Sequence, residues 1–143
     1  MSRQSERVGR SGEYLVASVL STLSDTVSII PHAAEADILF QVNKTIYKCQ
    51  VKTQSQIEKA RKSWRFDLRR GPHSRSRSYN EGAIDIYALV ALKHQKVIFI
   101  KSKGRKQVSF DDEFIQATDS LENLKNLFKE LGCLETLSDL RSA

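Results

Sequence analysis

A chain of 143 residues, 40% of them hydrophobic, can bury one core, and it is short for two. No apolar run approaches a membrane span, the polar start Met-Ser-Arg-Gln-Ser-Glu-Arg lacks a signal-peptide core, and two cysteines, Cys49 and Cys133, make neither a disulfide framework nor a zinc spacing. The net charge of +6 is local: residues 59–77 hold eight bases against one acid, Asp67, and the rest of the chain has fifteen bases and sixteen acids. The expectation is a single domain over residues 1–143 in a reducing, cytoplasmic setting.

In chain order, residues from Glu6 to Leu23 carry Val8, Leu15, Val16, Val19, Leu20 and Leu23 along one side, which predicts a helix. Glu13 borders that side, either exposed at the helix edge or directed at the sheet. Val27 to Ile30 reads as a short strand ended by Pro31. Asp37 to Val42 and Thr45 to Lys52 alternate as strands around Asn43-Lys44, room for a two-residue turn in which Asn tolerates positive φ. A turn centred there sets Asp37 opposite Gln50, with Cβ atoms about 4.5–5.5 Å apart. It also sets Glu35 opposite Lys52, and Lys52 shares a face with Gln50. Cys49 then points to the other face as a small buried residue.

Ser63 to Leu68 alternates Trp64, Phe66 and Leu68 against Arg65 and Asp67, a third long strand. Gly71 to Gly82 has loop composition. Ile84 to Leu92 is a nearly continuous apolar run that suits a buried central strand, and Val97 to Ile100 is another strand. Asp119-Ser-Leu-Glu122 reads as an N-cap with Glu at N3. The helix that follows has Leu121, Leu124, Leu127, Phe128 and Leu131 on one face and Gly132 at its end. A mixed α/β sheet flanked by helices is the expected assembly.

The basic stretch, with Trp64, Phe66 and Tyr79 interleaved, is the footprint of a polyanion. Arginine outnumbers lysine there and forks onto phosphate, which favours nucleic acid over an acidic protein or an anionic membrane surface. Arg61, Lys62, Arg65, Arg69, Arg70, His73, Arg75 and Arg77 are the candidate DNA-binding residues, with Arg69 to Arg77 the reading element.

Glu13, then Asp37, then Gln50-Val51-Lys52 resembles the PD-(D/E)xK nuclease superfamily, and within it the group I intron-encoded homing endonucleases of cyanobacterial type, which carry Gln-x-Lys. Tyr79-Asn-Glu-Gly-Ala-Ile-Asp-Ile-Tyr87 is similar to the segment that precedes a core strand in those proteins. The chain departs from the superfamily pattern at Ala36, where a proline is usual, and at Gln50, where an acid is usual. The amide keeps an oxygen for a hard cation and gives up one negative charge.

The resemblance implies a restriction-endonuclease-like sheet and Mg²⁺-dependent hydrolysis of phosphodiester bonds in double-stranded DNA. It makes Asp37 the principal metal ligand, with the Gln50 oxygen, the Val51 carbonyl and Glu13 completing the set. Lys52 orients the attacking water and offsets transition-state charge. It also implies a homodimer or homotetramer, for which the C-terminal helix or the apolar surface near Phe110 and Phe114 could supply the interface. Two other readings share much of this pattern: a junction-resolving nuclease of Holliday-junction type, and a DNA-binding module whose catalytic site has decayed.

Overall fold

The computed structural model describes residues 2–31, 35–68, 83–101 and 104–131. Helix α1 (Arg3–Ser21) leads into β1 (Thr26–Ile29), β2 (Ile38–Val42), β3 (Thr45–Gln54) and β4 (Ser63–Asp67). Then come β5 (Ile86–Ala91), a single 3-10 turn (Leu92–His94), β6 (Lys96–Lys101), β7 (Gln107–Asp111), α2 (Asp112–Ala117) and α3 (Ser120–Glu130). Five strands form a mixed sheet in the order β1-β2-β3-β5-β6, in which only β3 and β5 run parallel.

β5 is an interior strand, between β3 at the centre of the sheet and β6 at its edge, and it is buried at every position from Ile86 to Ala91, as a run apolar on both faces requires. The β2–β3 register is the one the Asn43-Lys44 turn dictates, with Ile38 opposite Cys49 and Val42 opposite Thr45. Asn43 takes a φ of 59°, and Lys44 is not among the positive-φ residues. Only the first turn residue therefore takes a positive φ, the conformation that asparagine tolerates and lysine does not favour.

Helices α1 and α3 cover one face of the sheet. Val16 and Leu20 from α1, with Leu124, Leu127 and Phe128 from α3, close over Phe40, Cys49, Val51 and Ala88. The C-terminal leucines and Phe128 are therefore core. Asp119 caps α3 through its carboxylate, which accepts the Glu122 N–H at 3.0 Å. The outward N–H groups of β6 also find α3: Val97 donates to Ser120 Oγ at 2.9 Å and Phe99 to Asn123 Oδ1 at 2.5 Å.

The opposite face differs from the sequence expectation. Ser63–Asp67 is a strand, but it does not join the main sheet. It pairs antiparallel with β7 in a separate two-stranded ribbon. Trp64, Phe66 and Leu68 face Tyr87, Leu89 and Ile98 across a second core that also takes Ile115 of α2. The ribbon wins because Trp64 and Phe66 bury fully only against the sheet face, not beside its edge. Helix α1 is also longer at its start than the apolar spacing indicates, because Ser2 caps it by accepting the Ser5 N–H at 3.1 Å.

Candidate active site

A mismatch in strand length builds the site. β2 begins at Ile38, opposite Cys49, while β3 continues to Gln54, so the second half of β3 has lost its partner on that edge. The last contact is displaced from an ordinary ladder pair: the Asp37 N–H donates to the Cys49 carbonyl at 2.9 Å. Asp37 and Gln50 are therefore not a ladder pair, and neither are Glu35 and Lys52. Instead the Asp37 carboxylate accepts the Val51 N–H through Oδ2 at 2.9 Å, replacing the missing strand at that point. A second aspartate does the same on the other edge of β3. The Asp85 Oδ2 accepts the Lys48 N–H at 2.8 Å, and the Asp85 N–H donates to the Lys48 carbonyl at 2.9 Å.

The open edge is the floor of a cleft of about 1120 Å³, walled by the N-terminal half of α1 and by Ile30 and Pro31. Glu13, Asp37, Gln50 and Val51 all line it. Glu13 reaches this cleft because α1 lies close on β3. A Cβ at Gly12 would overlap Thr53 Oγ1 and stand 2.9 Å from Thr53 Cβ, so only glycine permits the approach.

Successive residues of β3 alternate in direction. Cys49 and Val51 point into the core beneath α1, while Gln54 points to the ribbon, donating from Nε2 to the Arg65 carbonyl at 3.0 Å. Gln50 and Lys52 share the ribbon side. Two buried side-chain polar atoms lack a protein partner among the described residues, Gln50 Oε1 and Thr53 Oγ1, and both belong to residues of the cleft wall.

Lys52 does not line the cleft but lies within the field of Asp37. Burial pulls its ammonium pKa below the usual lysine value, opposed by the negative charges of Asp37 and Asp67. Burial, with the Asp37 charge adding to it, pushes the Cys49 thiol far up, so this cysteine is an inert core residue. Among the described residues no group of three or more His, Cys, Asp or Glu is placed to hold a metal ion. Any hard cation here has to use amide and main-chain oxygens beside the carboxylates.

Of the candidate DNA-binding residues, Arg61, Lys62 and Arg65 are described, and all three are exposed. Arg61 lies 3.9 Å from Glu58 in a surface ion pair worth little. Lys62 takes a φ of 51° in the turn before β4. Arg65 stands on the outer face of the ribbon opposite Ser109, and its guanidinium donates Nε (2.8 Å) and Nη2 (3.1 Å) to the Gln107 side-chain oxygen. Arg69, Arg70, His73, Arg75 and Arg77 lie outside the described residues.

Sequence reasoning missed Gln107, and it missed a polar node behind the ribbon. The Asp112 Oδ1 accepts from Trp64 Nε1 at 2.8 Å and meets His94 Nε2 at 2.9 Å, and its Oδ2 accepts from Gln116 Nε2 at 2.6 Å. The Trp64 indole, then His94, holds the Asp112 carboxyl below the usual carboxylate range. The signal in the sequence was a buried tryptophan, whose N–H needs an acceptor.

A five-stranded mixed sheet flanked by helices, with an acidic open edge at its second and third strands, is a restriction-endonuclease-like fold. Comparison with solved structures finds it in a bacterial homing endonuclease, I-Ssp6803I. The TM-score is 0.57 over 95% of this chain and 96% of that one, at 12% sequence identity, a likeness of fold. No family model matches the chain, and no curated protein matches its sequence. No described helix is long and apolar enough to cross a membrane.

Proposed function

We propose that this chain is a Mg²⁺-dependent endonuclease of homing type that hydrolyses phosphodiester bonds in duplex DNA at a specific site. The observation that carries the reading is the meeting of Glu13, Asp37, Gln50 and Val51 in one cleft at the open edge of β3. The fold shared with a homing endonuclease supports it.

The residues fit a hard cation. Gln50 Oε1 is buried without a protein partner among the described residues, which is costly unless something else meets it. Glu13, Asp37, the Gln50 amide oxygen and the Val51 carbonyl are all oxygen donors, suited to Mg²⁺ rather than to a soft metal. In a strand a residue's N–H and C=O project to the same side, so the Val51 carbonyl looks toward the edge where Asp37 holds the Val51 N–H. When bound, Mg²⁺ supplies polarisation of a phosphate oxygen and acidification of a water.

The chain's own groups do the positioning. The Val51 N–H fixes the direction of the Asp37 carboxylate, so the carboxylate need not be ordered when substrate arrives. Lys52, partly desolvated beside Asp37, offers a fixed positive charge to the phosphate as negative charge develops on it, and it orients the attacking water. Arg61 and Lys62 in the turn before β4, Arg65 on it, and the bases at Arg69, Arg70, His73, Arg75 and Arg77 hold the flanking duplex. One small domain spans few base pairs, so a long target calls for a homodimer or homotetramer. A cytoplasmic place of action goes with a DNA substrate and with the free thiol of Cys49.

The test is cleavage by the purified chain, with Mg²⁺ or with EDTA, on linear duplexes carrying candidate sites and on four-way junctions. Discrete duplex products that need Mg²⁺ and vanish in Lys52→Ala support the reading. Cutting confined to junctions would replace it with junction resolution. Identical products from wild type and Lys52→Ala would leave a DNA-binding module.

A further inference from the structure

The charge count outside residues 59–77 is nearly neutral, yet the fold does not spread that charge evenly. Arg3, Arg7, Arg10 and Tyr14 recur at the three- and four-residue spacing that puts them on one side of α1, and all four are exposed. Three arginines in the N-terminal half of a helix oppose its macrodipole, whose positive end lies there. None of the three takes part in an ion pair among the described residues. Tyr14 is 61% exposed, the largest exposure among the big apolar side chains of the described residues. Among the described residues nothing pairs with the arginines of this stripe.

The same half of α1 forms a wall of the cleft. No residue of α1 before Gly12 is buried, yet Gly9, Arg10 and Tyr14 line the cleft together with Glu13. The two glycines differ sharply. Gly12 is required by Thr53, whereas a Cβ at Gly9 would meet nothing within 4 Å. A mid-helix glycine with no packing reason costs helix stability, and it is the residue that lets a ligand come close to a backbone.

We infer that the N-terminal half of α1 is a second DNA-holding surface, on which Arg10 and Tyr14 grip the backbone of the strand being cut, Gly9 admits it, and Arg3 and Arg7 follow the flanking phosphates. The inference rests on the nuclease reading and deepens it: the duplex is clamped between α1 and the bases at and just before β4, Arg61, Lys62 and Arg65, with Glu13 and Asp37 beneath the grip. The helix thus brings one proposed metal ligand, Glu13, and its own phosphate-binding groups to the cleft on a single rigid element.

Binding of the full chain to a mixed-sequence duplex, followed by fluorescence anisotropy over a salt series without Mg²⁺, tests this. In Arg3→Ala/Arg7→Ala/Arg10→Ala the slope of log K against log salt becomes shallower by roughly 2–3, about 0.9 for each phosphate no longer neutralised, and affinity at moderate salt falls roughly tenfold or more. A matched removal of charge elsewhere, Lys93→Ala/Lys125→Ala/Lys129→Ala, leaves the slope near that of wild type. Gly9→Gln raises the melting temperature, as a better helix former should, and weakens binding. Wild-type slope and affinity in the arginine variant would overturn the inference and leave the nuclease reading standing. A lower melting temperature in Gly9→Gln would mean that Gly9 serves the fold, and would also overturn its part. Absence of duplex binding by wild type at any salt would remove the nuclease reading itself, and this surface with it.

Discussion

The Asp37 carboxylate is held at 2.9 Å by the main-chain N–H of Val51, the residue between Gln50 and Lys52. One side chain therefore stands at the end of the β2–β3 pairing, satisfies an edge N–H and lines the cleft. Structural and chemical roles meet in Asp37 and can be separated. Asp37→Asn keeps an acceptor for Val51 and should melt within a few degrees of wild type while losing Mg²⁺-dependent cleavage. Asp37→Ala should lose cleavage and about 1–3 kcal/mol of stability as well, read by urea unfolding. Equal stability of the two variants would mean the hydrogen bond is not needed.

Gln50 gives a metal-linked prediction. Gln50→Glu places a carboxylate where a buried amide oxygen lacks a partner among the described residues, in the cleft that Asp37 also lines. In EDTA this variant should melt below wild type. On adding Mg²⁺ its melting temperature should rise more than that of wild type, because a ligand that binds only the folded state stabilises it by mass action. Equal shifts in the two proteins would take Gln50 out of the ligand set.

Lys52 links activity, stability and pH. Its folded pKa is below the unfolded one, so the folded state disfavours the charged form. The sign follows: stability rises with pH between the folded and unfolded values, the latter about 10.4, because the unfolded chain binds more protons in that window. Lys52→Met should accordingly raise the urea midpoint at neutral pH while cutting the cleavage rate by roughly 100-fold or more. Cleavage by wild type should fall on an alkaline limb centred below the ordinary lysine value, and Lys52→Arg should move that limb upward. A rate unchanged through that range would show that the ammonium has no part in the reaction.

The contact of α1 with β3 predicts a non-additive pair. Gly12→Ala gains about 1 kcal/mol of helix propensity. Against that, it forces a methyl group onto Thr53, at an overpacking cost of about 1–3 kcal/mol. We expect net destabilisation in Gly12→Ala, partly relieved in Gly12→Ala/Thr53→Ala, because the second change removes the oxygen and methyl carbon that the new group meets. Additive losses in chemical denaturation would place the strain elsewhere.

Asp112 sets an acid limb. Its carboxyl is held below the usual value by the Trp64 indole and by His94, so its contribution to stability is complete above about pH 3.9 and is lost as pH falls through the depressed folded value. In Asp112→Ala, unfolding followed by Trp64 fluorescence should depend less steeply on pH in that acid range. An unaltered acid limb would show that the node does not contribute to it.

Several elements were legible because their determinants are local. Asn43 and the alternation around it fix the β2–β3 register, and Asp119 with Glu122 marks the start of α3. The apolar run at β5 could only be a strand buried on both faces. What escaped reading depends on distance along the chain. β7 is a short Gln-Val-Ser-Phe-Asp stretch whose partner, β4, lies some forty residues earlier, and nothing in either segment says they will leave the main sheet. The residue types of the site were visible, but the cleft was not, because it arises from β2 stopping short of β3 and from Gly12 drawing α1 inward. The arginines of α1 escaped for a related reason: net charge along a sequence does not reveal which side of a helix carries it.

The α3 side chains that take up the outward N–H groups of Val97 and Phe99 bear on how copies of this protein can associate. A neighbouring chain cannot extend the sheet past β6 without first unseating Ser120 and Asn123, so that rim does not template polymerisation. At β6, then, two copies can meet only through side chains, and any main-chain pairing between copies is left to the other margins.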